Sequence, residues 1–419
     1  MIFLIFLFIG SALIYPSNLS ENFEIKLKVV YLEDKRLPSI TQKDIKEILE
    51  EAKNELQIKF GINYVNFDYS GIKPISIFFN KNLNKNDKYY KNLSLTRYKL
   101  FSNEISYEGK KEEILKFLKQ WKLWDIKKFF SEDVQKNLNN YEDVMKELYK
   151  IYFEKLKILE NLKLSNGKFL IDRETNDFNL YINWVVAMNN QDEYDILFTN
   201  TIIVYDDILH PYPHAVLRYA KVGGSSFDSP KRMVFYGRAA MVNLFEMLTD
   251  IDYFKKDESE KNIDRSLWNK IIGSFILAHE IGHALFLIPD VYDHPKQCLM
   301  DSSYETMNYY EGYKILKQYP FSCLKCEVYI NARENFFLAE NFFKNNNYEE
   351  AINYYRLSAK MTPEKLDVDY NSYISDIYYK IGNCFFLLND YNNARSYLEK
   401  SLNYNPENKL SKNLLNKLE

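Results

Sequence analysis

The chain has few cysteines and no surplus of charge of either sign. Four cysteines in 419 residues are too few for a disulfide scaffold of this size. The formal net charge is −3, from 55 Lys and Arg against 58 Asp and Glu, and no long block carries one sign. This balance argues against a nucleic-acid surface and against a polybasic membrane patch, so we expect no nucleic-acid partner.

The apolar run at the N-terminus is short for a membrane span. Residues 2–15 are almost wholly apolar, whereas a spanning helix needs roughly 20 residues. The length suits the core of a signal peptide, although no Lys or Arg precedes it. We expect residues 1–16 to be a signal peptide or short anchor, which makes the protein extracytoplasmic, secreted or membrane-anchored. The alternative is a buried first strand or helix of a cytoplasmic protein, and membrane contact is expected only through this segment if it stays uncleaved.

The rest of the chain has the composition of a folded protein with more than one domain. Hydrophobic residues make up 46% and charged residues 27%, which is a globular balance. Since 419 residues exceed one ordinary core, we expect two or three domains.

The hydrophobic pattern predicts an α/β domain over residues 23–330. A strand at 24–32, a helix at 43–60 and a strand at 62–69 form its β-α-β opening, whereas residues 71–101 give no clear signal. Amphipathic periodicity predicts a helical insertion at about 110–165. Further strands are predicted at 179–187, 195–205 and 232–242, with a loop at 211–230 and a long apolar helix at 267–287.

An internal repeat occupies the last part of the chain. Segments 332–363 and 375–406 match at four positions that carry small, aromatic and proline residues: Ala339 and Gly382, Phe342 and Phe385, Ala351 and Ala394, Pro363 and Pro406. The pattern resembles the tetratricopeptide repeat, a helical hairpin with a period of about 34 residues. The two segments begin 43 residues apart, so the linker at 364–371 is longer than usual. We expect an all-α repeat domain at 331–419 with a cap helix at 408–419, which binds a protein partner.

The predicted helix at 267–287 carries the segment His279-Glu280-Ile281-Gly282-His283. Histidines four apart lie on one helix face and can bind one metal ion, and Glu280 beside them is placed to move a proton. The alternative is a pair of helix histidines without metal. The apolar surroundings argue against it, because uncoupled buried histidines are costly.

The segment HEIGHALFLIPDVYDHPKQCLMDSS resembles the metzincin clan of zinc peptidases, whose motif runs HExxHxxGxxH or HExxHxxGxxD and leads to a Met-turn. The later Cys-x-Met at 298–300 and Cys-x-x-Cys at 323–326 are similar to those of the archaemetzincins. The resemblance covers about 195–326. It implies one catalytic zinc, a second structural zinc, and an edge strand at 232–242 that pairs with an extended substrate. The PDVYD stretch is also similar to one found in some secreted peptidases of the HExxH type.

The third ligand of the catalytic zinc is less clearly marked. Phe286 stands where the clan has Gly, and one residue is inserted before the candidate ligand. Asp290 is the first choice, because Pro289 can end the helix and redirect the chain. His294 and then Asp293 follow, and Glu305 would suit a different clan. Asp290 as a plain helix-stop residue is the alternative.

The structural zinc would be bound by Cys298, Cys323 and Cys326, with His294 as the fourth ligand. A disulfide between Cys323 and Cys326 is the competing interpretation if the chain is exported. Met300 would be the Met-turn residue, an apolar floor beneath the catalytic metal, or simply a core residue.

These patterns predict a metzincin-like α/β zinc peptidase domain followed by the repeats. The reaction would be that of an endopeptidase or aminopeptidase on a peptide or protein substrate, with Glu280 as general base and then acid. One rival hypothesis is a catalytically degenerate zinc scaffold that binds proteins through its repeats. Another is a different hydrolase built on HExxH.

Overall fold

The computed structural model describes residues 23–87, 111–171, 177–204, 224–228, 238–249, 264–289, 298–300, 314, 317 and 323–418. The predicted signal segment at 1–16 lies outside these ranges. Among the described helices, none combines the length and the apolar character that crossing a membrane requires.

A five-stranded sheet organises the first part of the chain, with the strand order β2-β1-β3-β5-β4. Four strands run parallel and β4 runs antiparallel to β5. The strands are β1 (Ile25–Glu33), β2 (Val65–Pro74), β3 (Ile196–Thr199), β4 (Gly224–Asp228) and β5 (Arg238–Asn243). The strand between β4 and β3 is therefore β5, and β4 lies at the end of the sheet.

Helix α1 (Gln42–Phe60) is the connection between β1 and β2, as its sequence predicts. Thr41 and Asp44 form a capping box at its start, and Gly61 ends it with a φ of 70°. A buried stripe from Ile45 to Phe60 faces the sheet. Together with α9 (Arg265–Phe286), α1 covers one face of the sheet in a single hydrophobic core.

The opposite face of the sheet is covered by α2 (Ile75–Asn82) and α7 (Tyr181–Asn190), which pack around Trp184. The predicted strand at 179–187 is wrong, because this stretch forms a short 3₁₀ turn at Asp177–Asn179 and then α7. A short apolar run that is buried on most sides does not distinguish helix from strand by periodicity. Helix α2 falls in the stretch that gave no sequence signal.

Four helices form the predicted helical insertion. They pack in a second hydrophobic core around Tyr152 and Leu148, to which Ile182 and Val186 of α7 also belong. They are α3 (Lys111–Leu118), α4 (Leu123–Lys127), α5 (Glu132–Gln135) and α6 (Tyr141–Asn161). After β5 the short α8 (Phe245–Leu248) leads towards α9.

Two predictions near the site, one of a loop and one of an edge strand, need correction. The predicted loop at 211–230 contains β4, whose Gly and Ser residues gave a turn signal rather than a strand signal. The predicted edge strand at 232–242 corresponds to β5, which is not an edge because it pairs with β3 on one side and β4 on the other.

Five helices form the C-terminal part of the chain: α10 (Leu324–Lys344), α11 (Tyr348–Met361), α12 (Tyr370–Leu387), α13 (Tyr391–Tyr404) and α14 (Lys409–Leu415). They make two helical hairpins and a final helix, where the repeat pattern places them. Helix α10 runs without a break through residues 330 and 331, so the predicted domain boundary falls inside a helix and stays a prediction. The repeats and the sheet share one continuous core, in which Phe286 meets Phe337 at 6.5 Å between ring centroids.

Candidate metal centre

Helix α9 brings the two histidines of the motif together in the interior. Asp264 caps its N-terminus by accepting a hydrogen bond from the Leu267 N–H. The apolar residues that follow bury the helix between α1 and the sheet. His279, Glu280 and His283 are only 7%, 5% and 4% exposed.

The backbone fixes the ring orientation of both histidines. His279 Nδ1 lies 2.8 Å from the Leu299 carbonyl oxygen, and His283 Nδ1 lies 2.6 Å from the Ile288 carbonyl oxygen. Since a carbonyl only accepts, each Nδ1 carries the proton and donates it. The Nε2 atoms of the neutral rings therefore present lone pairs.

Those two lone pairs point at the same place. The Nε2 atoms lie 3.0 Å apart, with the rings at 82° to each other. Two acceptors so close repel each other unless a cation or a shared proton lies between them. A tetrahedral zinc with Zn–N bonds of about 2.0–2.1 Å separates two nitrogens by about 3.3 Å. The two nitrogen donors, with their rings oriented by backbone carbonyls, therefore fit a zinc ion.

Helix α9 ends at Phe286, and Leu287 caps it. Leu287 adopts the left-handed conformation, with a φ of 57°. The Leu287 N–H donates to the His283 carbonyl, and the Ile288 N–H donates to the Gly282 carbonyl. This turn points the Ile288 carbonyl back at His283, although a branched side chain rarely adopts such a φ.

Gly282 makes room for Met300 beneath the histidines. A Cβ added at Gly282 would lie 2.3 Å from Met300 Sδ and 2.8 Å from its Cε. Met300 is fully buried and follows Leu299, whose carbonyl holds His279. The space left by Gly282 is thus occupied by this methionine.

The carboxylate of Glu280 lies against the edge strand. A Cβ added at Gly224 would lie 2.4 Å from Glu280 Oε1 and 2.7 Å from Ile276 Cγ2. Only a residue without a side chain fits at this position of β4. Two residues further along the strand, Ser226 faces the same side of the sheet.

Asp367 lies in the linker between the repeat helices α11 and α12, and it contacts both Ser226 and His283. Its carboxylate accepts a hydrogen bond from Ser226 Oγ at 3.2 Å and lies 3.9 Å from His283 Nδ1. Its backbone N–H donates to the Leu287 carbonyl at 3.0 Å. The sequence did not predict this contact, and its one visible signal was the unusual length of the linker at 364–371.

Three cysteine thiols converge next to the histidine pair. The sulfur of Cys326 lies 3.3 Å from those of Cys298 and of Cys323, and all three lie within 4.8 Å of one another. None of the three forms a disulfide bond. The hydrogen bond with Cys323, followed by burial, raises the pKa of the Cys298 thiol to about 12. The hydrogen bonds from the two neighbouring thiols raise the pKa of Cys326 as well. Three thiols at these distances can bind one metal ion as thiolates.

Several sequence candidates cannot be placed. Asp290, Asp293, His294 and Glu305 lie outside the described residues, so the third ligand of the histidine site and the fourth ligand of the cysteine site remain predictions. Within the described part of the chain, the structure brings together His279, Glu280, His283 and Met300 on one side and the three cysteines on the other.

The comparisons with known proteins concern the repeats. A family model of the tetratricopeptide repeat matches residues 335–365 and 375–408, which confirms the two predicted repeats. No curated protein and no solved structure matches the chain significantly. The chain therefore carries a pair of repeats of a kind that generally mediates protein–protein contacts, behind an α/β domain with a five-stranded sheet.

Proposed function

We propose that this chain is a zinc-dependent peptide hydrolase whose repeats bind a protein. The protein-binding half rests on the matched tetratricopeptide repeats. The zinc half rests on one observation, the 3.0 Å approach of two Nε2 atoms whose rings are each held by a backbone carbonyl. Metal-binding histidines usually donate their second ring N–H to a carbonyl or carboxylate in this way.

When bound, zinc would polarise a carbonyl group and lower the pKa of water to about 7. His279 and His283 would hold the ion as neutral ligands. Glu280 would take up a proton from water and return it to the leaving amine, which a carboxylate in hydrogen-bond reach of both can do. Its burial beside Gly224 keeps the carboxylate next to β4, where a substrate can lie.

The position of the helix end supports Asp290 as the third ligand. In the metzincin motif the turn stands three residues after the second histidine, and the ligand follows three residues later. Here the turn is at Leu287, one residue later than Phe286, and Asp290 follows it by the same three residues. A one-residue insertion thus shifts the turn and the ligand together.

The edge strand supports action on an extended peptide. In the described part of the chain β4 pairs with β5 alone. Its other edge can add a strand by main-chain hydrogen bonds, which is how extended peptides are often bound. Glu280 then lies beside the start of this strand, as a metzincin-like catalytic domain requires.

The three cysteines are proposed to bind a second, structural zinc. They tie residues 298–300 to the start of α10, and Cys323 also caps that helix by accepting from the Cys326 N–H. Since Leu299 holds His279, the second ion would stabilise the first site. His294 remains the proposed fourth ligand.

A catalytically inactive zinc scaffold is the second candidate. It is favoured by the comparisons, which match the repeats and no peptidase family. Both candidates predict zinc in the protein, and only the peptidase predicts turnover. Metal analysis of the purified protein, with digestion of a broad peptide library, separates them. Zinc without cleavage would reject the peptidase, and cleavage that a chelator stops and zinc restores would reject the scaffold.

A further inference from the structure

The first repeat helix sends a buried arginine to the end of the metal-binding helix. Arg333 on α10 is only 2% exposed. Its Nε donates to the Leu285 carbonyl of α9 at 2.9 Å, and its Nη1 donates to the Tyr373 hydroxyl at 3.1 Å. The guanidinium lies 4.7 Å from the ring centroids of both Phe336 and Phe337. It is thus held by the repeats and directed at α9.

A second donor from the repeats holds the same helix end. The Asp367 N–H donates to the Leu287 carbonyl at 3.0 Å. The last carbonyls of any helix have no partner within the helix, so they must find one elsewhere when buried. At α9 the repeats provide partners for two of them, at Leu285 and Leu287.

These two anchors enclose the turn that orients His283. The Ile288 carbonyl, next to Leu287, accepts the Nδ1 proton of His283 at 2.6 Å. Leu287 itself has a φ of 57°, a left-handed conformation that is unfavourable for an L-residue. Such a conformation persists only where the surroundings hold it in place. Here two donors of the repeat module hold it.

We propose that Arg333 is a positioning residue for the metal centre: it fixes the helix end, and through Leu287 and Ile288 it sets the ring of His283. The repeats therefore help to orient a metal ligand, in addition to the protein-binding role proposed for them. This inference rests on the proposed function, because it assigns the positioning to a zinc-binding histidine.

The test is the full-length variant Arg333→Met, which keeps an unbranched apolar stem in the buried site and removes the hydrogen-bond donors. Arg356→Met is the control. Arg356 also stacks on two aromatic rings, 5.6 Å from Phe385 and 5.3 Å from Tyr397, and donates to the Tyr397 hydroxyl at 2.9 Å. It is exposed, and none of these partners lies on α9. Zinc affinity is measured by competition with a chelator, and the visible spectrum of the cobalt-substituted protein reports the ligand geometry.

Loss of a group that hydrogen-bonds a metal ligand typically lowers metal affinity by about 10- to 100-fold. Arg333 acts one step further from the ligand, so we expect a loss at the lower end of this range, about 10-fold, with an altered cobalt spectrum. Arg356→Met should keep the wild-type affinity and spectrum. If Arg333→Met does not fold, Arg333→Lys replaces it, since one ammonium still reaches the Leu285 carbonyl, and a several-fold loss is expected. A zinc affinity equal to that of Arg356→Met would overturn the positioning role.

Failure of the proposed function is scored separately, on the wild type. Equal zinc content in the wild type and in the double variant His279→Ala with His283→Ala would reject a zinc site at the histidines. Hydrogen exchange of the Leu287 and Ile288 amides then still decides whether Arg333 holds the helix end. Faster exchange in Arg333→Met than in Arg356→Met supports that role, and equal exchange overturns it.

Discussion

Gly224 and Glu280 lie so close that the first residue of the edge strand cannot carry a side chain. A Cβ there would be 2.4 Å from the Oε1 atom of the carboxylate and 3.0 Å from its Cδ. The edge strand and the proposed proton carrier are therefore fitted to each other, and a change in either displaces the other.

Replacing Gly224 by Ala should move the Glu280 carboxylate without touching a zinc ligand. A displacement of about 1 Å at a reacting group costs on the order of 10²-fold in rate. We expect that loss in peptide hydrolysis with an unchanged zinc content. Ser225→Ala is the control, since Ser225 faces the opposite side of the sheet, where it bonds the Tyr181 hydroxyl at 3.1 Å. Equal rates of peptide hydrolysis in Gly224→Ala and Ser225→Ala would contradict a role of the Gly224–Glu280 contact in positioning the carboxylate.

Glu280→Gln should keep the fold and the zinc while removing hydrolysis. A Gln amide has nearly the same shape but cannot take up and return a proton. The expected loss is at least about 10²-fold in kcat/KM, measured on a peptide that the wild type cleaves. Hydrolysis close to that of the wild type would exclude Glu280 as the general base.

Asp290→Ala should lower zinc occupancy of the histidine site more than His294→Ala does. The reason is the turn at Leu287, which Asp290 follows by three residues, as the third ligand follows the turn in the metzincin motif. Zinc per protein is counted after dialysis against a weak chelator. If His294→Ala instead removes the zinc from the histidine site, the assignment of Asp290 as the third ligand is wrong.

Cys326→Ser should remove one bound zinc and leave the histidine zinc in place at first. Cys326 is buried between two other thiols, each 3.3 Å away. Cys384→Ser is the matched control, because Cys384 is also buried and free but lies in the second repeat. Equal metal content in both variants would leave the cysteines as core residues, and a disulfide found by mass spectrometry would favour the competing interpretation.

Glu334 should make the contact between repeats and sheet sensitive to pH. Burial raises its pKa from 4.5 to about 7. The folded state thus binds the proton more tightly than the unfolded state does. The contribution to stability is complete below about pH 4.5 and is lost as the pH rises through about 7. The loss is on the order of 3 kcal/mol.

Urea unfolding of the wild type and of Glu334→Gln between pH 5 and pH 8 measures this effect. The Gln variant should lose the fall in stability with rising pH and match or exceed the wild type at pH 8. Glu349→Gln, at an exposed position of α11, should keep the wild-type slope. The same slope in Glu334→Gln would assign the pH dependence to another group.

Local patterns were sufficient to predict much of this fold. The capping residues Thr41 and Gly61 mark α1 at both ends, and the four-residue spacing of His279 and His283 places both on one helix face. The repeated small and aromatic residues predict the helical hairpins that the family match confirms. Each of these signals is carried by residues close together in sequence.

The contacts that complete the site join residues far apart in sequence, so no local pattern reports them. Arg333 reads as an ordinary charged position of an amphipathic helix, yet it is buried against a carbonyl 48 residues away. Gly224 and Ser226 read as a turn, yet they form the edge strand. Only the position of α9 beneath the sheet makes small residues necessary there.

Helix α10 has a consequence for how this protein can change over generations. A whole repeat can be inserted or deleted with little effect on the rest of an array, because each repeat contacts only its neighbours. Here one uninterrupted helix carries Cys326 at its start and Arg333 about two turns later. Recombination between the two halves would have to cut through that helix and would separate two residues that serve the first domain. We therefore expect the halves to be inherited as a unit, with variation concentrated beyond Lys344.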